Sequence, residues 1–278
     1  MTRKFLTAAA GAILLSAGLQ GGEPGMDQYR KFWKEGKYCR QETVDAKRIS
    51  QGQIRAKVDG RWQEFRIQEL PQSFIDWNLR SRLRDLEEMH KGRMPNFAGP
   101  HSGMVASHGL RRFDASFGLN NAVKGMGWLP RTSELPGLLQ ELEASADSSD
   151  DYKIAWLTRL YTERAGILDR TKQASLELYA TPEYATHTFL NLMTDPGVSI
   201  VFLDMVSYEI RAVAQMLDPN DPGLSQEERQ IVDYVNTIHD YFHGRSPRQS
   251  IVTIYHVIEV FDNSPGRGRG RRLVPSLP

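Results

Sequence analysis

The chain has 278 residues, of which 40% are hydrophobic and 25% are charged, and its formal net charge is +1. These proportions are typical of a globular protein with enough apolar material for a sizeable core. A disulfide-stabilised scaffold is excluded because Cys39 is the single cysteine. A protein with several membrane spans is excluded because no apolar run beyond the N-terminus approaches the roughly 20 residues that cross a bilayer.

Residues 1–22 have the pattern of a secretory signal. Arg3 and Lys4 supply positive charge, residues 5–19 form an apolar stretch, and residues 16–18 are small. A retained N-terminal anchor helix is the alternative, although the apolar stretch is short for a membrane span. The sequence therefore predicts removal of the signal and export to the periplasm or the extracellular space.

Residues 53–67 have the pattern of a β-hairpin, with alternating apolar residues on either side of an Asp-Gly pair at 59–60. Trp62 is out of phase with the apolar residues that follow it, so we expect a bulge near Gln63. Residues 73–91 then have the apolar spacing of an amphipathic helix.

The segment 92–130 shows no hydrophobic period and is rich in glycine. A segment of this length without regular structure is expected to wrap a core or to build a site. It contains His101 and His108, which could reach a site framed by helices. Helices are predicted to resume at residues 133–146 and at residues 151–178.

Helix signals are clearest in the C-terminal half of the chain. Thr181 is predicted to cap one helix, and residues 198–217 have the composition of a long apolar helix. A capping box that begins at Ser225 opens a helix that runs to His243. Residues 251–261 follow another capping signal and are predicted as helix, with a strand as the alternative because they are rich in β-branched residues.

These elements predict a mainly α fold of about six helices with a small N-terminal β-hairpin, or an α+β fold if residues 251–261 form a strand. The predicted organisation is a signal peptide at 1–22, a single domain at 23–265 and a basic tail at 266–278. The tail carries arginines at four positions, namely Arg267, Arg269, Arg271 and Arg272.

Glu209 is the leading candidate for a functional residue. On a helix over residues 198–217 it would lie in the middle of the apolar face, where a carboxylate costs several kcal/mol unless it is paired, protonated or bound to metal. The alternative is a structural ion pair with one of the many arginines.

His239 and His243 are four residues apart on a predicted helix, a spacing that can place two imidazoles on one metal ion. The alternative is a pair of boundary histidines that form hydrogen bonds with their neighbours. With Glu209 they are predicted to ligate a divalent metal, zinc or iron, and His187 is the candidate fourth ligand. His256 is predicted to act with Glu209 in catalysis, and either His187 or His256 could be the fourth ligand or a general base.

The sequence therefore suggests an exported helical protein with a His/Glu metal site, either a metal-dependent hydrolase or an oxidoreductase. The alternative is a non-catalytic exported module that binds an anionic polymer or a protein through the arginine tail. Nucleic acid is not the expected partner, and the mature chain is expected to have no membrane span. The sequence does not decide whether the protein is an enzyme.

Overall fold

The structure is a computed structural model that describes residues 26–93, 98–266 and 268–276. The predicted signal peptide at 1–22 and Arg267 of the basic tail lie outside the described residues.

The described residues form a mainly β structure, so the prediction of a mainly α, or all-α, fold is wrong. They contain thirteen strands, and eight of these build one strongly curled sheet with the form of a half-barrel. The strands are β1 (Trp33–Lys34), β2 (Tyr38–Cys39), β3 (Val44–Asp45), β4 (Gln53–Val58), β5 (Arg61–Arg66), β6 (Ser102–His108), β7 (Leu119–Gly125), β8 (Gly127–Pro130), β9 (Leu168–Glu177), β10 (Gly197–Phe202), β11 (Tyr208–Leu217), β12 (Ile251–Asp262) and β13 (Arg271–Val274).

The described residues contain six α-helices, and α4 is much shorter than the helix predicted at 151–178. They are α1 (Met26–Arg30), α2 (Gln72–His90), α3 (Leu135–Ala144), α4 (Asp150–Tyr161), α5 (His187–Thr194) and α6 (Gln226–His243).

The strand order of the curled sheet is β7-β6-β10-β11-β12-β9-β8, and β13 pairs with β12. Strands β7 and β8 lie at opposite ends of this order, yet Met126 alone separates them in the chain. Lys124 on β7 also meets Glu177 on β9, with Nζ and Oε1 2.6 Å apart. The two ends of the sheet therefore approach each other, and the face that carries Lys124 and Glu177 is concave.

Helix α5 packs on the concave face, where Asn191 donates a hydrogen bond to Ser107 of β6. Residues Thr188 to Met193 of this helix are all buried, as expected for a short helix that the sheet surrounds. Helix α2 contributes an aromatic contact on the same face, because Phe74 packs edge-on against Phe202 of β10.

The three-stranded sheet β3-β4-β5 covers part of the outer face of the curled sheet. Ile54 and Ala56 of β4 are fully buried against Val213 of β11. Burial of a side chain such as Ile54 contributes about 1.5 to 3 kcal/mol, and burial of the smaller Ala56 contributes less, so both hold the small sheet in place. The turn between β4 and β5 is thereby carried to the edge of the outer face, near the end of β6.

The largest error of the prediction concerns residues 198–217, which form the strands β10 and β11 instead of one helix. Exposure alternates along β10, with Val198, Ile200 and Phe202 buried and the residues between them partly exposed. This period of two residues is that of a strand. Residues of β11 are buried on both faces of the sheet, so their composition is as apolar as that of a core helix.

Four further segments also differ from the prediction. Residues 151–178 divide into α4 and the strand β9, and the segment 92–130 contains β6, β7 and β8. Residues 251–261 form a strand, as the alternative prediction has it, because they lie in β12. The helix expected from Thr181 begins only at His187, where Thr186 is the capping residue.

Four predicted elements are confirmed. Helices are present at 72–90, at 135–144 and, with the predicted capping box at Ser225, at 226–243. The hairpin of β4 and β5 is present as well, although its register continues unbroken past Gln63, so the expected bulge is not formed.

Candidate metal centre

Glu209 lies on β11, on the outer face of the curled sheet, and is half-buried. Its Oε1 accepts hydrogen bonds from Arg211 Nε at 2.9 Å and from Ser199 Oγ at 3.0 Å, and its Oε2 accepts one from Asn263. Partial burial raises the pKa of Glu209, but the hydrogen bonds, above all that from Arg211, outweigh it and hold the pKa below its usual value. Glu209 therefore forms a structural ion pair with an arginine, which is the alternative to a functional role for this residue.

His256 lies on β12 and is only 1% exposed. Its Nε2 is 2.9 Å from Gln215 Oε1, and because that oxygen can only accept, Nε2 carries the proton. Burial, with a smaller contribution from the charge of Lys172, lowers the pKa of His256 to about 3. The ring is therefore neutral, and a substrate has no open path to it.

His239 and His243 do face the same way on α6, with ring centroids 4.8 Å apart. His187 stands at the start of α5, where Asp114 is its acidic neighbour at 3.9 Å. Within the described residues the structure does not bring these histidines together with Glu209, because a single group of three or more possible ligands lies within 4.8 Å, and it contains none of the four.

That group consists of Asp59, His108 and Asp195. Asp59 is at the tip of the turn between β4 and β5, His108 is the last residue of β6, and Asp195 follows the end of α5. His108 Nε2 is 3.1 Å from Asp59 Oδ1 and 3.4 Å from Asp195 Oδ2. Two carboxylates and one imidazole from three distant parts of the chain thus share one small space.

Backbone hydrogen bonds fix the position of the Asp195 carboxylate, which is buried. Its Oδ2 accepts the N–H of Asp59 at 2.7 Å, and its Oδ1 accepts the N–H of Gly197 at 3.1 Å. Each carboxylate oxygen has two lone pairs, so both can still bind a further partner. The first of these bonds also ties the turn of the small sheet to the curled sheet.

The turn itself depends on a conformation that Asp and Gly adopt readily. Asp59 has a φ of +51° and Gly60 has a φ of +74°, as in the two-residue turns that favour Asp-Gly. This conformation points the Asp59 carboxylate toward His108 and its N–H toward Asp195.

Gly109 allows α5 to approach the end of β6 closely. It has a φ of +151°, and a Cβ at this position would come within 2.6 Å of Thr194 Oγ1 and 2.8 Å of the Asn191 carbonyl oxygen. A larger residue would therefore separate His108 from Asp195. The glycine is part of what brings the centre together.

The donor set of this group suits a divalent transition metal. Imidazole nitrogen suits zinc and iron, and carboxylate oxygens bind zinc and manganese. His108 Nε2 lies close to both carboxylates. A metal ion bound by all three residues would therefore replace the hydrogen on Nε2. Asp59 is exposed and His108 partly exposed, so the remaining coordination positions would face solvent.

Sequence patterns do not reveal this group, because its members have no fixed spacing. Asp59 reads as a turn residue, His108 as part of a glycine-rich segment and Asp195 as a helix terminator. The Gly after His108 and the Pro after Asp195 are the signals that the chain changes direction at both positions, but neither indicates that the two positions meet.

The chain matches no protein-family model and no curated protein. None of the helices in the described part of the chain has the length and apolar character that a membrane span requires.

Proposed function

We propose that the protein binds a divalent transition-metal ion through Asp59, His108 and Asp195. The observation that carries the proposal is the convergence of one imidazole nitrogen and two carboxylates within 4.8 Å of one another. The metal site expected from the sequence is thus assigned to residues other than His187, His239, His243 and Glu209.

Charge balance supports a divalent ion. Two carboxylates carry a charge of about −2, and a neutral imidazole adds none, so a divalent cation neutralises the group. Asp195 is buried, and a buried carboxylate that gains a cation recovers part of the cost of its desolvation.

The proposed ion would join the two sheets, since Asp59 belongs to the small sheet and His108 to the curled sheet. Its exposed side would leave positions for water, whose pKa a bound metal lowers toward neutrality. This arrangement favours hydrolytic over purely structural use of the ion, and it keeps the expectation of a metal-dependent hydrolase.

Titration calorimetry of the untagged full-length chain with Zn²⁺ and Mn²⁺, after treatment with a chelator, tests the proposal. We expect one ion per chain and a loss of affinity of about tenfold to a hundredfold or more in His108→Ala, because one of three protein ligands is removed. His187→Ala is the matched control, since it removes a histidine that also has an aspartate neighbour, and should bind normally. Metal binding that survives His108→Ala but is lost in His239→Ala would place the metal site on α6 and contradict the proposal.

The alternative function is the binding of an anionic partner by the basic tail. In the structure Arg272 lies on β13 and forms an ion pair with Glu259 of the same chain, while Arg269 and Arg271 are exposed. One tail arginine is therefore used within the protein, and partner binding by the others stays a prediction.

A further inference from the structure

Arg82 on α2 is a buried arginine, with 5% of its surface exposed. All five of its N–H groups have partners. Nε donates to Asn78 Oδ1 at 2.8 Å, Nη2 donates to the carbonyl oxygens of Pro100 and Met126, and Nη1 contacts His101 Nδ1 and the Tyr161 hydroxyl.

These partners are all uncharged, so they satisfy the hydrogen bonds of Arg82 without neutralising its charge. Within residues 26–93, 98–266 and 268–276, Arg82 has no carboxylate among its partners. Arginines this deeply buried are almost always paired with an anion, because an unneutralised charge in the protein interior is costly. The unneutralised charge is the observation that suggests an anionic ligand.

His101 shows where such a ligand could reach this charge. Its Nδ1 is 3.3 Å from Arg82 Nη1, and because arginine only donates, Nδ1 is the acceptor. A neutral imidazole that accepts at Nδ1 carries its hydrogen on Nε2, at the far side of the ring. His101 is exposed at the surface, although the protein atoms around it desolvate the ring and lower its pKa, so this donor can meet a ligand that approaches from outside.

Two more imidazoles border the same place. His243 is close enough for its charge to lower the pKa of His101, after the larger effects of desolvation and of Arg82. The ring of His239 stands 4.8 Å from that of His243. Basic groups therefore outnumber acidic ones here, because Arg82, His101, His239 and His243 stand against one carboxylate, that of Asp240, whose Oδ1 is 3.5 Å from His239 Nδ1.

We propose that a small oxyanion, a phosphate or carboxylate group, binds at His101 and His243 above the buried charge of Arg82. His101 donates its Nε2 hydrogen to the anion, His243 borders it, and Arg82 supplies the positive potential without a direct contact. The site is separate from the proposed metal centre, because His101 precedes β6 and His108 ends it, roughly 20 Å apart along a strand.

His side-chain ¹H–¹⁵N NMR of the chelator-treated full-length chain tests this proposal, with inorganic phosphate and acetate as the probes. We expect one of the two to shift the His101 Nε2–H resonance with a Kd of about 1 mM or below. A response to phosphate alone assigns a phosphorylated ligand, and a response to acetate alone assigns a carboxylate. No shift with either probe would overturn the proposal.

Variants separate a specific site from general charge effects. His101→Phe keeps a ring but removes the donor and should weaken binding of the responding anion about tenfold, as should His243→Ala, measured by calorimetry. Arg84→Gln removes an exposed arginine of the same helix and should leave binding unchanged. Equal binding in His101→Phe and the unaltered chain would contradict the proposal, even if Arg82 variants fail to fold. Normal anion binding in His108→Ala would show that the anion site does not depend on the proposed metal centre.

Discussion

Asp195 carries the least exposed carboxylate of the candidate metal centre. Its two backbone hydrogen bonds, from Asp59 and Gly197, hold it in place before any ion binds. A ligand that is already fixed loses little conformational entropy on binding, which increases affinity. Asp59, on the exposed turn, is the ligand that can adjust to the size of the ion.

His256 is expected to make the stability of the protein depend on pH. Its pKa in the folded state is about 3, below the ordinary 6.5, so at pH values between these the unfolded chain binds a proton that the folded chain does not. Its contribution is therefore fully present above about pH 6.5 and is lost as the pH falls toward 3, at up to about 1.4 kcal/mol per pH unit.

His256→Gln removes this proton but keeps a donor for Gln215. Urea unfolding between pH 7 and pH 4 should therefore show a shallower loss of the free energy of unfolding in the variant than in the unaltered chain. Equal pH dependence in both proteins would show that His256 is accessible to protons in the folded state.

At the scale of elements, the contact between Lys124 and Glu177 joins the ends of the curled sheet. Glu177 is 1% exposed, so Lys124→Met would leave a buried carboxylate without its cation. We expect a loss of about 3 to 5 kcal/mol in the free energy of unfolding, measured in urea.

Replacing both partners, in Lys124→Met with Glu177→Met, should recover most of this loss because no unpaired charge remains. If the single and double variants were equally unstable, the contact would act through packing instead of charge.

Local signals were sufficient for some elements and insufficient for others. The capping box at Ser225 and the Asp-Gly pair at 59–60 specify their elements through neighbouring residues, and both predictions are confirmed. The segment 198–217 has no such signal, because its strands are stabilised by pairing with β6 and β12. Pairing with strands that are distant in the chain outweighs an apolar composition that also fits a helix.

The candidate sites also divide into residues that local spacing reveals and residues that only the packing of distant segments brings together. The sequence identified histidines by their spacing on one helix, and His239 and His243 are indeed neighbours. Spacing could not identify Asp59, His108 and Asp195, because only the packing of the small sheet on the curled sheet brings them together. The helical projection that places Glu209 on an apolar face does not apply, because the segment forms two strands.

For the whole molecule, the proposed ion adds a link between two sheets that already meet through an apolar contact and through the hydrogen bond from the Asp59 N–H to Asp195. An ion that binds only the folded chain stabilises it by about 2.7 kcal/mol at a free concentration one hundred times the Kd. Export of the chain after removal of residues 1–22 stays a prediction, and the mass of the N-terminal peptide of protein from its native host would test it.

Anomalous diffraction at the zinc absorption edge, from crystals grown with Zn²⁺, would show directly whether the ion binds between Asp59, His108 and Asp195. We expect a zinc peak about 2.0 to 2.2 Å from His108 Nε2 and from one carboxylate oxygen each of Asp59 and Asp195. A crystal in which zinc lies at His239 and His243, with none between the three predicted ligands, would contradict it.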